Sequence, residues 1–158
     1  MIFVDFTNPN TRRDCWIVND SVMGGISQSS LRQDVYGIFF EGVVSLENNG
    51  GFASMRSSVT IPEGTQMIDL LAKGDGKSYK LVLGTGLAPK VTYSADFITE
   101  PTWQTYRFNL SQFKSTFRGQ AINAPNLYFS DVIEFGILIS NNQAGNFGIQ
   151  LKTLRSTS

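Results

Sequence analysis

A run of 15 residues, WIVNDSVMGGISQSS at positions 16–30, concentrates side chains that can bind a ligand or hold a tight loop. It begins like a strand and then places Asn19 and Asp20 ahead of Met23 and the pair Gly24-Gly25. A short amide and a short carboxylate can bond nearby backbone groups. Glycine permits positive φ, and methionine fills irregular apolar gaps.

Two interpretations of this run stay open. In the first, Asn19 and Asp20 hold a structural corner by bonding backbone groups at positions 22–25, and Gly24 has a positive φ. In the second, the same polar side chains form a ligand or partner loop. The first is preferred because both side chains are too short to reach far from their own backbone.

Further candidate binding residues lie in other predicted strands and turns. Arg56 follows GGFASM inside an apparent strand, where it is either an ion-pair partner of Asp20 or Glu47 or a ligand contact. Two asparagines precede Gly50-Gly51 in what is most simply a hairpin turn. Together with three polar-tipped residues near predicted loops, the candidate binding residues are Asn19, Asp20, Met23, Asn48, Asn49, Arg56, Lys77, Tyr79 and Arg118.

Several kinds of catalytic chemistry are excluded by residue type. The chain has no histidine, which removes Ser-His-Asp and Cys-His nucleophile systems. Cys15 is the single cysteine and is expected to be a buried, inert thiol. The sequence therefore predicts no catalytic residue and no enzyme; a glycoside hydrolase using two carboxylates is the weak alternative.

No cofactor is expected. A structural calcium ion is a weak alternative, with Asp5, Asp14 and Asp131 as the candidate ligands, because calcium prefers carboxylate and carbonyl oxygens. The segment GDGKS at 74–78 lacks the first glycine of a phosphate-binding loop and is predicted to be a hairpin turn. Trp16 and Trp103 are predicted to be core residues.

Period-2 apolar patterns dominate the chain and predict an all-β fold. The patterned segments include GIFFEGVVSLE, KVTYSADFI and DVIEFGILIS, with further strands expected at 2–6, 51–59, 66–73, 77–84, 103–108 and 146–154. Turn signals separate them, as in a β-sandwich. The first and last strands are expected in the same sandwich, and the predicted core residues are Phe40, Val44, Leu46, Phe52, Leu81, Leu83, Tyr93, Phe97, Trp103, Phe108, Phe135, Ile137 and Ile149.

The chain has 158 residues, which favours a single domain over residues 1–158. Thirteen basic and thirteen acidic residues cancel, which argues against a nucleic-acid partner. No apolar run is long enough for a membrane-spanning helix. The start of the chain has no signal-peptide pattern, so a cytoplasmic protein without direct membrane insertion is expected.

Long segments of the sequence resemble the complex I intermediate-associated protein 30 family. The resemblance is carried by WIVNDSVMGGISQSSL and FFEGVVSLENNGGFASMRS, followed by GDGKSYKL, Tyr93, Phe97, the pair Thr102-Trp103, Phe113, FRG at 117–119 and IEFGILISNNQAGNFGIQLKTL. It extends from Phe3 to about Leu154. A bare domain of a bacterial or cyanobacterial member is the expectation.

The resemblance implies a fold and a role. The fold is a galactose-binding-like jelly roll, an antiparallel β-sandwich related to carbohydrate-binding modules. Mitochondrial members act as assembly factors or chaperones for respiratory complex I. The expected function is therefore non-catalytic binding to a protein partner, with subunits of a respiratory or photosynthetic membrane complex as the candidates. The alternative is a carbohydrate-binding module for a soluble glycan.

Overall fold

Two antiparallel β-sheets share one apolar core and form most of the molecule. The structure is a computed structural model and describes residues 1–20, 24–47, 50–117, 120–140 and 142–158. In chain order the strands are β1 (Ile2–Asp5), β2 (Cys15–Asn19), β3 (Gln28–Asp34), β4 (Gly37–Val44), β5 (Ala53–Ser58), β6 (Met67–Lys73), β7 (Ser78–Thr85), β8 (Thr92–Ile98), β9 (Gln104–Asn109), β10 (Lys114–Phe117), β11 (Gln120–Ala121), β12 (Val132–Ile139) and β13 (Gly145–Thr157).

The strand order confirms the predicted jelly-roll sandwich. One sheet has the order β3-β4-β13-β6-β9, with β1 also paired to β13, and is called the six-stranded sheet. The other has the order β11-β10-β8-β7-β12-β5-β2 and is called the seven-stranded sheet. The first and last strands are direct neighbours, as expected, since Val4 pairs with Leu154.

Helical structure in the described residues is short. The α-helix α1 spans Pro9–Arg13, with Asn8 as its N-cap and proline in its first turn. The Asn8 side chain accepts a hydrogen bond from the backbone N–H of Asn10, the usual role of asparagine at this position. Two 3-10 turns follow at Leu110–Gln112 and Phe129–Asp131. Within the described ranges, no helix combines the length and the apolar character that membrane crossing requires.

Alternation along the strands places one side chain in two in the core, because successive side chains of a strand point to opposite faces. Most of the predicted core residues are buried: Phe40, Val44, Leu81, Leu83, Tyr93, Phe97, Phe108, Phe135, Ile137 and Ile149. The prediction is wrong for Leu46, which is exposed, and for Phe52 and Trp103, which are partly exposed. All three lie just outside a strand, where the period of two no longer fixes direction.

The core prediction can be tested on strand β12. Phe135 is 2% exposed and contacts Phe6 edge-to-face with ring centroids 5.6 Å apart. Replacing Phe135 with alanine leaves a cavity, so we expect the free energy of unfolding to fall by about 3–5 kcal/mol in urea denaturation. Ile133→Ala on the same strand is the control, because Ile133 is 58% exposed. Equal losses for the two variants would contradict the assigned core face.

Candidate functional site

The carboxylate of Asp20 is fully buried and accepts four hydrogen bonds. The Ser27 backbone N–H donates to Oδ1 at 2.9 Å, and the Ser27 hydroxyl donates to Oδ2 at 2.5 Å. The backbone N–H groups of Gly51 and Phe52 also donate to Oδ2, at 2.7 and 3.3 Å. Asp20 therefore joins the end of β2 to the segment before β3 and to the segment before β5.

Glycines give this carboxylate the room it needs. A Cβ at Gly25 would lie 2.4 Å from Cγ of Asp20, and a Cβ at Gly50 would lie 2.6 Å from its Oδ2. Any side chain at either position would collide with the carboxyl group. Gly24 has a φ of +88°, as the sequence predicted, so a β-branched residue is disfavoured there.

These contacts support the structural corner, with a correction to its partners. The expected bonds from Asp20 side-chain oxygens to the backbone at 22–25 are wrong for Gly24 and Gly25; the donors come from Ser27, Gly51 and Phe52 instead. Asn19 also reaches beyond its own loop, since its Oδ1 accepts from the Ser29 hydroxyl at 2.7 Å. Both side chains therefore bond segments that are distant in sequence.

Lys77 precedes β7 and Tyr79 lies on it, after the segment 74–77 that links β6 of the six-stranded sheet to β7 of the seven-stranded sheet. The buried Tyr79 hydroxyl donates to Asp75, and burial followed by the Asp75 charge raises the pKa of Tyr79. Asp75 also accepts from the backbone N–H of Gly148 at 2.9 Å. The Lys77 ammonium donates to the Asn146 carbonyl. The predicted hairpin at 74–78 is wrong, because β6 and β7 belong to different sheets and do not pair; both candidate side chains nevertheless have structural partners.

Four sequence candidates lie outside the described residues: Met23, Asn48, Asn49 and Arg118. Of the candidate calcium ligands, Asp5 and Asp14 line one cavity of about 400 Å³ beside α1, whereas Asp131 is not among its lining residues. Asp5 already accepts from the hydroxyl and the backbone N–H of Thr7. The described part of the chain contains no group of three or more acidic or cysteine side chains arranged to hold a metal ion.

Arg56 lies on a different surface, the face of the seven-stranded sheet that is turned away from the core, here called the outer face. Its neighbours on β5, Met55 and Ser57, are buried, and Met55 belongs to the core cluster, so Arg56 points outward. Residues that pair in register with Arg56 on neighbouring strands lie beside it on the same face and form a row across six strands. The row consists of Trp16, Arg56, Gly136, Val82, Ser94 and Lys114.

The absence of a side chain at Gly136 lets the stem of Arg56 lie across β12. A Cβ at Gly136 would be 2.6 Å from Cδ of Arg56, 2.9 Å from Cγ2 of Val82 and 2.5 Å from the Met55 carbonyl oxygen. Val82 is fully buried although it does not belong to the core cluster. The Arg56 stem and Val82 thus form a packed floor on the outer face.

The guanidinium of Arg56 has no ion-pair partner among the described residues, where the three ion pairs are Arg32–Glu41, Lys80–Asp96 and Arg107–Asp69. Its Nε donates a long hydrogen bond of 3.4 Å to the Ser54 hydroxyl. Burial lowers the pKa of Arg56, and the charge of Glu134 opposes this shift. The predicted pairing of Arg56 with Asp20 or Glu47 is therefore wrong, and Glu134 is the nearby carboxylate.

Trp16 is the outer-face residue that sequence reasoning placed wrongly. It was predicted to be in the core, yet 41% of it is exposed, and it pairs in register with Arg56. Cys15 is buried as predicted and Ile17 packs on the core, so alternation along β2 turns Trp16 outward. The alternation along β2 was therefore the sequence signal that could have shown that Trp16 is exposed. The adjacent row carries Val18, Ser54, Leu138, Lys80 and Asp96, and sequence reasoning did not identify it.

The fold is a jelly-roll β-sandwich similar to those of carbohydrate-binding modules. A family 11 carbohydrate-binding module from Clostridium thermocellum, in complex with a β-1,3-1,4-mixed-linked tetrasaccharide, is similar with a TM-score of 0.64 and 13% identity. The match covers 97% of this chain and 92% of that one. The family 11 module of the cellulase Lic26A-Cel5E of Clostridium thermocellum gives a TM-score of 0.65 at 13% identity, covering 98% and 94% of the two chains.

A crystal structure of an agarase is also similar, with a TM-score of 0.63 and 11% identity; the match covers all of this chain and 26% of that one. At these identities the likeness shows the fold alone. No curated protein sequence matches the chain. The model of the complex I intermediate-associated protein 30 family matches residues 4–151, and the chain belongs to that family.

The Asp20 corner predicts a specific pH dependence. Burial opposes ionisation of Asp20, but the hydrogen bonds from Ser27, Gly51 and Phe52 outweigh it and hold its pKa below the ordinary value. The stability this provides is complete above the unfolded pKa of about 4 and is lost as pH falls through the lower folded pKa. Asp20→Asn should lower the free energy of unfolding by about 1–3 kcal/mol at pH 7. The difference from wild type should shrink below about pH 4.

Urea denaturation across pH 2–8 measures this difference. Asp14→Asn serves as the control, because Asp14 is exposed, and should change stability by less than about 0.5 kcal/mol. A difference between wild type and Asp20→Asn that is the same at every pH would contradict the assignment.

The unpaired guanidinium of Arg56 predicts a mutation that does not destabilise the fold. Arg56→Met keeps a long apolar stem over Gly136 and removes a partly buried charge, so the free energy of unfolding should stay equal or rise by up to about 1 kcal/mol. Arg107→Met should lower it, because Asp69 is 8% exposed and loses a two-point partner at 2.8 and 2.9 Å. Thermal and urea unfolding of both variants check this; destabilisation by Arg56→Met would reveal a structural role.

Proposed function

We propose that this domain is a non-catalytic binding module that contacts a protein partner through its outer face. The observation that carries the proposal is the adjacency of Trp16 and Arg56 on paired strands, with the tryptophan 41% exposed and the guanidinium unpaired among the described residues. Tryptophan and arginine are the residue types that most often dominate the binding energy of protein interfaces.

The surroundings of this pair support a protein contact. Val18 and Leu138 lie one row away and are partly exposed, which adds apolar area beside the two anchors. Lys80 and Asp96 form an ion pair at 2.6 Å in that same row. An apolar centre with charged groups at its margin is the usual composition of a protein interface.

The carboxylates support the non-catalytic part of the proposal. Asp20 accepts four hydrogen bonds, Asp69 pairs with Arg107, and Asp75 accepts from Tyr79 and from the backbone. Acid–base catalysis needs carboxyl groups that are free to exchange protons with a substrate. Histidine, the commonest acid–base catalyst, is absent from the sequence.

Family membership supports a role in assembling a membrane protein complex. The family takes its description from a protein associated with an intermediate of complex I. We propose that the partner is a subunit or assembly intermediate of a respiratory or photosynthetic complex of that kind. The single cysteine fits a cytoplasmic location, where disulfides are rare.

Glycan binding is the second candidate, and one observation favours it: the fold matches, over 97% of the chain, a module solved with a mixed-linked tetrasaccharide. The composition of the outer face favours the protein partner instead. Sugar rings pack their C–H groups on aromatic faces, and Trp16 is the one aromatic residue among the outward positions of the described strands of this sheet.

A double variant of the outer face tests the proposal. Tagged wild type, the variant Trp16→Ala with Arg56→Met, and a control are purified from native cells, and bound proteins are identified by mass spectrometry. The control is Arg32→Met with Tyr36→Ala, an exposed arginine and an exposed aromatic residue of the six-stranded sheet and its β3–β4 turn. We expect the outer-face variant to lose membrane-complex subunits at least tenfold, which corresponds to about 1.4 kcal/mol or more, and the control to retain them.

The glycan alternative is tested on the same proteins by calorimetric titration with the mixed-linked β-1,3-1,4-glucan tetrasaccharide. The proposal expects no binding tighter than millimolar. Micromolar binding that the outer-face variant abolishes, together with unchanged subunit recovery, would establish the glycan function instead.

A further inference from the structure

The arginines of the two sheets differ in how their charge is neutralised. Arg107 forms a two-point ion pair with Asp69, at 2.8 and 2.9 Å. Arg32 bonds Glu41 at 3.2 Å and lies 4.1 Å above the ring of Phe39. Arg56 is less exposed than either one, yet no carboxylate of the described residues lies within 4 Å of it.

A partly buried and unpaired cation is costly, because burial removes water that solvates the charge. The burial that lowers the pKa of Arg56 reports this loss of solvation. An anion that binds such a group gains more binding free energy than one that binds a fully solvated lysine. The reason is that folding has already removed part of the water around the guanidinium, so binding does not have to remove it. Lys80, in the adjacent row, is already bonded to Asp96, and Lys114, at the far end of the row of Arg56, is exposed to solvent.

The stem of Arg56 is also held in place before any ligand arrives. Gly136 leaves the space that the stem occupies, the methyl groups of Val82 lie beside the same space, and Ser54 accepts from Nε. A side chain with restricted rotamers loses little conformational entropy on binding. The guanidinium then presents its parallel N–H groups in the fork that matches the two oxygens of a carboxylate.

From this geometry we infer that Arg56 receives a carboxylate of the protein partner, either an aspartate or glutamate side chain or a chain terminus, lying across the outer face beside Trp16. The inference rests on the proposed function, because it assigns the contact that anchors the partner. A protein carboxylate fits better than a sugar acid since Trp16, Val18 and Leu138 offer apolar contact for neighbouring side chains of a peptide. Glu134, whose charge also acts on Arg56, repels an incoming carboxylate, so the two-point contact with the guanidinium has to outweigh that repulsion.

The test follows the Nε–H resonances of the arginines by NMR while short peptides are added at constant ionic strength. The probe is a capped five-residue peptide with a central glutamate flanked by valines, and its control peptide has glutamine in place of the glutamate. We expect the Arg56 resonance to shift in a saturable way with the glutamate peptide, and at least tenfold weaker binding of the glutamine peptide. The resonances of Arg32 and Arg107 are internal controls and should stay in place.

Variants of Arg56 complete the design. Arg56→Met should abolish the preference for glutamate, and Arg56→Lys should weaken it, because an ammonium keeps the charge but not the fork. Equal binding of the two peptides, or shifts of all arginine resonances together, would overturn the inference. Binding of digalacturonic acid without binding of the glutamate peptide would overturn it in favour of an acidic glycan.

The two proposals fail in different ways. If the peptides bind alike while recovery of membrane-complex subunits still depends on Trp16 and Arg56, the outer face remains the contact surface and the carboxylate assignment falls. If the glutamate peptide is preferred but subunit recovery ignores the outer-face variant, the carboxylate site stands and the assembly role falls.

Discussion

The buried carboxylate of Asp20 is the interaction on which one end of the sandwich depends. It collects donors from Ser27, Gly51 and Phe52, and the Ser27 hydroxyl in turn accepts from the Ser45 backbone N–H at 2.9 Å. Segments that border both sheets are thereby fixed around one charge: the end of β2 and the start of β5 in the seven-stranded sheet and the start of β3 in the six-stranded sheet. Because the charge is buried, each missing donor would leave it less compensated, so the segments are constrained together.

On the outer face, as at the corner, a glycine leaves room that a charged side chain occupies. At the corner, glycines let the backbone approach a carboxylate; on β12, Gly136 lets an arginine stem cross the strand. The two charged groups differ in the hydrogen-bond partners that the fold gives them. Asp20 has its partners within the fold, whereas the guanidinium of Arg56 has a single long hydrogen bond among the described residues. This unsatisfied polarity is the reason that we propose Arg56, and not Asp20, as a binding residue.

The fold was largely predictable because its signal is local. Alternating apolar residues on β4, β8 and β12 identify buried faces without knowledge of their neighbours. The polar strand β3 was not predicted, since its existence depends on pairing with β4, which a local pattern does not encode. Ile133 and Phe135 are two positions apart on β12, yet Phe135 is buried and Ile133 is exposed, because a register irregularity between Val132 and Glu134 interrupts the pairing with β7.

The candidate site was less predictable because its contacts are distant in sequence. Arg56 was named as a candidate from its type, but its surroundings come from Gly136 and Val82, on strands that sequence alone does not pair. The partners of Asp20 were missed for the same reason, since Gly51 lies 31 residues away. Trp16 is different: the alternation that places Cys15 in the core also turns Trp16 outward, so local information was sufficient there.

The position of β13 has a consequence for biosynthesis. This strand, Gly145–Thr157, pairs with β4 and β1 on one side and with β6 on the other, so it occupies the middle of the six-stranded sheet. A ribosome that has reached residue 140 has produced β4 and β6 but nothing to lie between them. Until Thr157 emerges, both strands present unpaired backbone edges, and such edges are sites of aggregation. Within this sandwich the central strand is therefore synthesised after every strand that it pairs with, and a chain interrupted before that point exposes the edges of both neighbours.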